Sequence, residues 1–231
     1  HNHPATGCYL QPGNAFSCPL PPGAVEYCTA YKPFRNISAA DCFPPNNCTG
    51  SSVKLAPAQC DAWITMFDEL GGASWKHCSN TRHDPCSCNS ADDENQIFAI
   101  VECDGTGNMT KLELFNNSLG PTVPSVVAAL SNLKYLNFGG NDLSGTIPES
   151  VFSLTNIESL RFQLNSMSGS IPPSIVKLTA LQELLLDYNR FSGNIPSSIA
   201  ELGALHTLLL EQNLLGGPVP AINFSRIVEC D

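Results

Sequence analysis

A single period governs the second half of the chain: Leu112, Leu136, Leu160, Leu184 and Leu208 stand 24 residues apart through five copies without a gap. Two positions further on come Leu114, Phe138, Phe162, Leu186 and Leu210, and five on come Asn117, Asn141, Asn165, Asn189 and Asn213. Eleven and twelve on come Val123-Pro124, Ile147-Pro148, Ile171-Pro172, Ile195-Pro196 and Val219-Pro220. Self-similarity at a fixed period of this length marks stacked repeats. The L-x-L step reads as a short strand with both apolar side chains turned inward, and the asparagine can satisfy backbone groups where the chain leaves the strand. One repeat cannot bury its own apolar face. Stacking five builds a continuous core, with a parallel sheet on one side and Pro-bearing loops with short helical turns on the other.

The segments Leu143 to Pro148, Met167 to Pro172 and Phe191 to Pro196 spell Leu-Ser-Gly-x-Ile-Pro or close variants of it. They resemble the plant-type leucine-rich repeats of receptor ectodomains and polygalacturonase-inhibiting proteins, over about residues 57–222. The fold this implies is a leucine-rich-repeat solenoid, its parallel β-sheet on the concave side and loops with short 3-10 turns on the convex side. Upstream, Cys60, Trp63, Ile64, Phe67 and Leu70 share one helical face, with Gly71 and Gly72 as a stop. That stretch is similar to the N-terminal cap helix of the same family, as are Trp75 and Asp84-Pro85-Cys86, and Ile97 to Cys103 reads as the cap strand. A tryptophan usual in the family shortly after the cysteine is replaced by Cys88 and the acidic run Asp92-Asp93-Glu94. The organisation expected is therefore a Cys/Pro-rich, disulfide-stapled module over 1–56, a cap over 57–107, five repeats over 108–222 and a terminal strand with Cys230 over 223–231.

Of eleven cysteines, Cys8, Cys18, Cys28, Cys42, Cys48, Cys60, Cys78, Cys86, Cys88 and Cys103 precede residue 104, while Cys230 stands alone. Their irregular spacing lacks paired Cys-x-x-Cys ligands and reads as a disulfide framework, not a zinc site. Five N-glycosylation sequons, at Asn36, Asn47, Asn108, Asn116 and Asn223, fit the same oxidising route. The expectation is a secreted, extracellular glycoprotein. A net charge of -10 argues against nucleic acid and anionic lipid as partners. No stretch approaches the roughly 18 apolar residues of a membrane span. The opening His1-Asn2-His3-Pro4 has neither the basic nor the apolar region of a signal peptide, so the chain reads as a mature, soluble product.

Catalytic motifs are missing from the sequence: there is no G-x-S-x-G, H-E-x-x-H or phosphate-binding glycine loop. Asp187 and Glu211 should be neighbours on adjacent strands, where two carboxylates read as solvated charges on an open sheet. An N-terminal His1 with His3 could chelate copper, but a solvated tail is the simpler reading. His77, His83 and His206 are too isolated to form a metal set. The expectation is a non-enzyme with no metal and no cofactor beyond N-linked glycans.

Binding is expected on the concave face, through Phe115, Tyr135, Arg161, Leu164, Leu185, Asp187, Tyr188, Leu209 and Glu211. The apolar members exceed what a solvated sheet needs, and Arg161 with Asp187 and Glu211 could orient a polar partner. A glycan on Asn116 would screen Phe115. The chain's ends point to assembly. Ile227 to Asp231 repeats letter for letter the segment Ile100 to Asp104, and less than half a repeat follows Pro220. A terminal strand closing the solenoid edge, with Cys230 as an intermolecular disulfide candidate, would join copies head to tail. The first functional expectation is thus a structural or assembly scaffold of matrix, wall or surface filament. The alternative is a recognition protein that binds an extracellular protein or polysaccharide through the concave face.

Overall fold

The cap begins with a helix whose first residue is proline. Pro57 needs no intrahelical donor at that position and carries the right φ, and the helix α1 runs Pro57–Glu69. It ends where Gly71 turns left-handed at φ 75, a conformation that glycine adopts without a Cβ penalty. The computed structural model describes residues 48–92, 97–222 and 227–230. The N-terminal module with Cys8, Cys18, Cys28 and Cys42, the His1 and His3 pair, and the sequons at Asn36, Asn47 and Asn223 lie outside the described residues.

Helix α1 buries Cys60, Trp63, Met66 and Phe67. Trp63, Phe67 and Trp75 form a ring cluster, with centroids 4.9 Å apart for Phe67 and Trp75 and 5.8 Å for the two tryptophans. Both buried indole N–H groups find carbonyls, Trp63 on Thr81 at 3.1 Å and Trp75 on Leu70 at 3.0 Å, so burying them leaves no orphan donor. Three disulfides fasten this region: Cys48–Cys60, Cys78–Cys88 and Cys86–Cys103. The first ties residues 48–56, which composition groups with the preceding segment, to the cap helix. Asp84 secures the same stretch by accepting from the backbone N–H and hydroxyl groups of both Ser51 and Ser52.

Strands β1 (Asn89–Asp92) and β2 (Ile97–Cys103) pair antiparallel, and β2 pairs antiparallel with β3 (Met109–Phe115). Two series of short strands then alternate along the chain. They are β4 (Tyr135–Asn137), β5 (Ser144–Gly145), β6 (Ser159–Arg161), β7 (Ser166–Gly169), β8 (Glu183–Leu185), β9 (Arg190–Asn194), β10 (Thr207–Leu209), β11 (Leu214–Gly216) and β12 (Glu229–Cys230). One sheet has the order β1-β2-β3-β4-β6-β8-β10-β12, and is parallel from β3 onward. Its register is that of the repeat: Leu112, Leu136, Leu160, Leu184 and Leu208 lie side by side, and all are buried.

A second sheet, β5-β7-β9-β11, was not foreseen on the loop side. Three of its strands carry a Ser-Gly step and β11 a Leu-Gly, stretches too short for apolar alternation to announce a strand. Beyond each of the first four Val-Pro or Ile-Pro pairs comes a 3-10 turn, at Ser125–Ala129, Glu149–Ser153, Pro173–Lys177 and Ser197–Glu201, with the proline at the cap position.

Asparagines stitch the repeats together. Asn165 donates to the carbonyls of Phe162 and Gln163 in its own repeat and of Phe138 in the one before, and accepts the Leu143 amide. Asn189 and Asn213 repeat the pattern. Asn117, first in the series, instead grips the cap by donating to the His77 carbonyl and accepting the His77 amide. At the other end, β12 adds parallel to β10 with Leu208 opposite Cys230, so Cys230 takes the register of the core leucines after 22 residues instead of 24.

Candidate functional site

Each repeat presents its strand face and the residues just past the strand to the concave side. Position four of this run is left-handed in every copy: Asn116 at φ 51, Gly140 at 67, Leu164 at 58, Tyr188 at 52 and Gln212 at 51. The chain must turn there to bring the following asparagine under the carbonyls. A left-handed backbone is unfavourable for any residue with a Cβ, and one copy uses glycine. Leu164 and Tyr188 hold the position nonetheless, 46% and 47% exposed. Tyr135 in β4 is 43% exposed, whereas Leu185 in β8, Leu209 in β10 and Phe115 at the end of β3 are half-buried.

Charges on the N-terminal part of the face are paired within the sheet. Lys111 meets Glu113 at 3.0 Å, and Asn137 donates to Glu113 at 3.2 Å. Lys134 meets Glu158 at 3.0 Å, to which the Tyr135 hydroxyl also donates. Arg161, named with Asp187 and Glu211 as a group that could orient a polar partner, bonds Glu183 at 2.6 Å and the Ser159 hydroxyl at 3.0 Å. The pairing of β6 with β8 sets Ser159 opposite Glu183, with Arg161 two residues along, so the carboxylate lies nearer than those beyond the strand ends. Burial works to raise the Glu183 pKa, but hydrogen bonds from Arg161 and Ser159 outweigh it and hold the carboxyl below its ordinary range.

Asp187 departs from the solvated charge expected of it. It is only 8% exposed, and among the described residues its Oδ1 has no hydrogen-bond partner. Burial outweighs a hydrogen bond from the residue's own backbone and, with a smaller contribution from the Glu211 charge, pushes its carboxyl above the ordinary carboxylate range. One strand earlier in the same column, Gln163 Oε1 is also buried without a partner. Gln163 is not among the residues that the sequence singles out; its position 24 residues before Asp187 is the signal in the sequence that points to it.

Of the described sequons, Asn116 accepts from Lys76 Nζ at 2.8 Å. Asn108 accepts from Gln59 and donates to Thr106. His77 contacts the Ser90 hydroxyl, His206 that of Thr207, and His83 the Arg82 guanidinium. Among the described residues no three His, Cys, Asp or Glu side chains gather as a metal site, and no helix is long and apolar enough to cross a membrane. On the opposite side of the repeats, Pro173, Ile195, Pro196, Pro218 and Val219 line an open depression of about 400 Å³.

The sequence profile of the Leucine Rich Repeat family matches residues 132–154 and 180–202. No curated protein sequence matches the chain significantly. Among solved structures, the ectodomain of the receptor kinase SOBIR1 from Arabidopsis thaliana is 26% identical with a TM-score of 0.60, over 77% of this chain and 93% of that one. The BIR3–SERK2 complex from Arabidopsis thaliana gives 29% identity and a TM-score of 0.54, over 70% and 86%. A plant ice-binding protein gives 28% and 0.58, over 70% and 50%. The chain spans 19% of the length of two longer receptors with which it shares 38% and 33% identity. The repeats, the two sheets and these likenesses agree: the chain carries leucine-rich repeats and folds as a leucine-rich-repeat solenoid, similar to plant receptor ectodomains.

Proposed function

We propose that the chain is a non-enzymatic, secreted recognition module that binds an extracellular polypeptide through the C-terminal part of its concave face. The observation that carries this reading is the pair Leu164 and Tyr188. Both are large, nearly half exposed, and held left-handed where a neighbouring repeat uses Gly140. Left-handed backbone costs a residue with a Cβ about 1–2 kcal/mol, and exposing apolar surface adds no folding gain. Strained residues held in place by the surrounding fold cluster at ligand-binding surfaces. The BIR3–SERK2 likeness, a complex between two proteins, supports a protein partner. The three disulfides fit an extracellular setting, and glycans on Asn108 and Asn116 belong to the same reading. The test is selection from a displayed random-peptide library against the wild type and a Leu164→Asn, Tyr188→Asn double variant. Peptides enriched by the wild type should lose binding to the double variant; equal binding to both would end the reading.

Self-association is a second reading, favoured by β12. That strand already adds to the sheet edge in register, and the sequence Asn14 to Pro21, Asn-Ala-Phe-Ser-Cys-Pro-Leu-Pro, matches Asn189 to Pro196 at the asparagine, phenylalanine, serine and final proline. A second copy thus carries letters suited to continue the repeat beyond β12, in the manner of a heterologous head-to-tail contact. Sedimentation of the full chain with and without reductant tests it: concentration-dependent polymers support assembly, and a monomer under both conditions removes it.

A further inference from the structure

On the concave face two buried side-chain oxygens have no hydrogen-bond partner among the described residues, and an exposed carboxylate stands beside them. Asp187 is more than nine-tenths buried, and its Oδ1 has no partner; Gln163 Oε1, one strand earlier, has none either. Glu211 stands at the same position one strand later, exposed and close enough for its charge to act on Asp187. The backbone sets the three side by side, since Leu164 N–H donates to the Asp187 carbonyl and Tyr188 N–H to that of Glu211, both at 3.0 Å. Neighbouring cations on the sheet are engaged elsewhere, Arg161 by Glu183 and Lys134 by Glu158. A buried acceptor without a donor is costly, and a buried carboxylate beside a like charge more so.

We propose that the row Gln163, Asp187 and Glu211 is a subsite for an arginine side chain of the polypeptide ligand, a proposal that rests on the concave face being the binding surface. The chemistry selects a guanidinium among cations. Its planar fork of five donors can serve the Gln163 amide oxygen and the Asp187 carboxylate together while its charge offsets that of Glu211. An ammonium is a compact point charge that serves adjacent acceptors less well. Calcium takes six to eight oxygens, and three side chains in a line on an open sheet do not enclose it. Leu164 and Tyr188, exposed beside the row, supply apolar cover for the arginine stem and an aromatic face for its charge.

The test uses the full chain and fluorescent peptides of one sequence, with Leu and Tyr flanking a central residue that is Arg, Lys, citrulline or Gln. Polarisation at low salt should show the arginine peptide bound about tenfold tighter than the citrulline peptide, as expected for one charge-assisted pair. The Asp187→Asn and Glu211→Gln variants should erase that preference without abolishing binding. The Leu164→Asn, Tyr188→Asn double variant should weaken every peptide alike. Equal binding of arginine and citrulline peptides, still sensitive to the double variant, would overturn the subsite and spare the face. Binding of no peptide would overturn both. Calcium chloride alone, titrated by calorimetry, should give no heat that depends on Asp187; a signal lost in Asp187→Asn would reassign the row to a metal.

Discussion

The side-chain amide of Asn189 donates to the carbonyl of Phe162, 2.8 Å away in the preceding repeat. The same amide serves the Leu186 and Asp187 carbonyls, and its oxygen takes the Met167 amide at 2.9 Å. Asn189 is buried, so no water can replace these bonds. Asn189→Leu keeps the branched shape and the number of heavy atoms and leaves several backbone groups unsatisfied. The expected loss is about 3 kcal/mol, from a penalty of roughly 1–3 kcal/mol per buried orphan group, read from urea unfolding at constant slope.

The cap should be acid-sensitive through Asp84. Burial works to raise its pKa, but four hydrogen bonds from Ser51 and Ser52 prevail and the carboxyl lies below its ordinary range. A carboxyl lowered on folding contributes stability above its unfolded pKa and loses it as pH falls through the folded value. Asp84→Ala should therefore be less stable than wild type near neutral pH, the gap closing in acid. Thermal melts across pH check this, and a gap independent of pH would contradict it.

Asp187 should behave in the opposite sense. Its carboxyl is raised on folding, so its contribution is most favourable below the unfolded value and is lost as pH rises through the folded one. Asp187→Asn should melt higher than wild type at neutral pH and show no advantage in strong acid. A lower melting temperature at neutral pH would show that the charge is compensated in the free protein.

Replacing Leu164 by glycine should cost little. The left-handed φ of 58 suits glycine, and the relief offsets the extra freedom of the unfolded chain, so the change should stay within about 1 kcal/mol. Leu160→Ala, four residues away in the buried column, should cost about 2–5 kcal/mol. Parallel denaturation curves of the two variants make the comparison.

The parts of this molecule legible in the sequence are those where one side chain has one job repeated at a fixed spacing. Leu112 to Leu208 name the sheet, and Asn117 to Asn213 name the turn. The cap helix shows because Cys60, Trp63 and Phe67 keep a helical spacing on one face. The Ser-Gly strands do not show, because they pair through backbone alone. The pairing of Cys78 with Cys88, and of Cys86 with Cys103, depends on a fold that brings distant loops together. At the candidate site the columns could be read but not the choices within them. Whether Arg161 turns to Glu183 or toward Asp187 is a matter of rotamers, and the burial of Asp187 depends on neighbours two strands wide.

The in-register sheet also works as a vernier. Equivalent positions on successive strands recur about every 4.8 Å, whereas an extended polypeptide laid across them turns a side chain to the same face about every 6.6 Å. Such a chain falls out of phase with the columns at once and returns near phase only after about four strands, where six of its residues span roughly 20 Å. A ligand anchored at Asp187 on the turn after β8 therefore meets no second column in phase between β6 and β10. The C-terminal part of the face thereby admits one deep anchor, and moving that anchor by one residue along the ligand would shift every flanking contact without removing a single contact group.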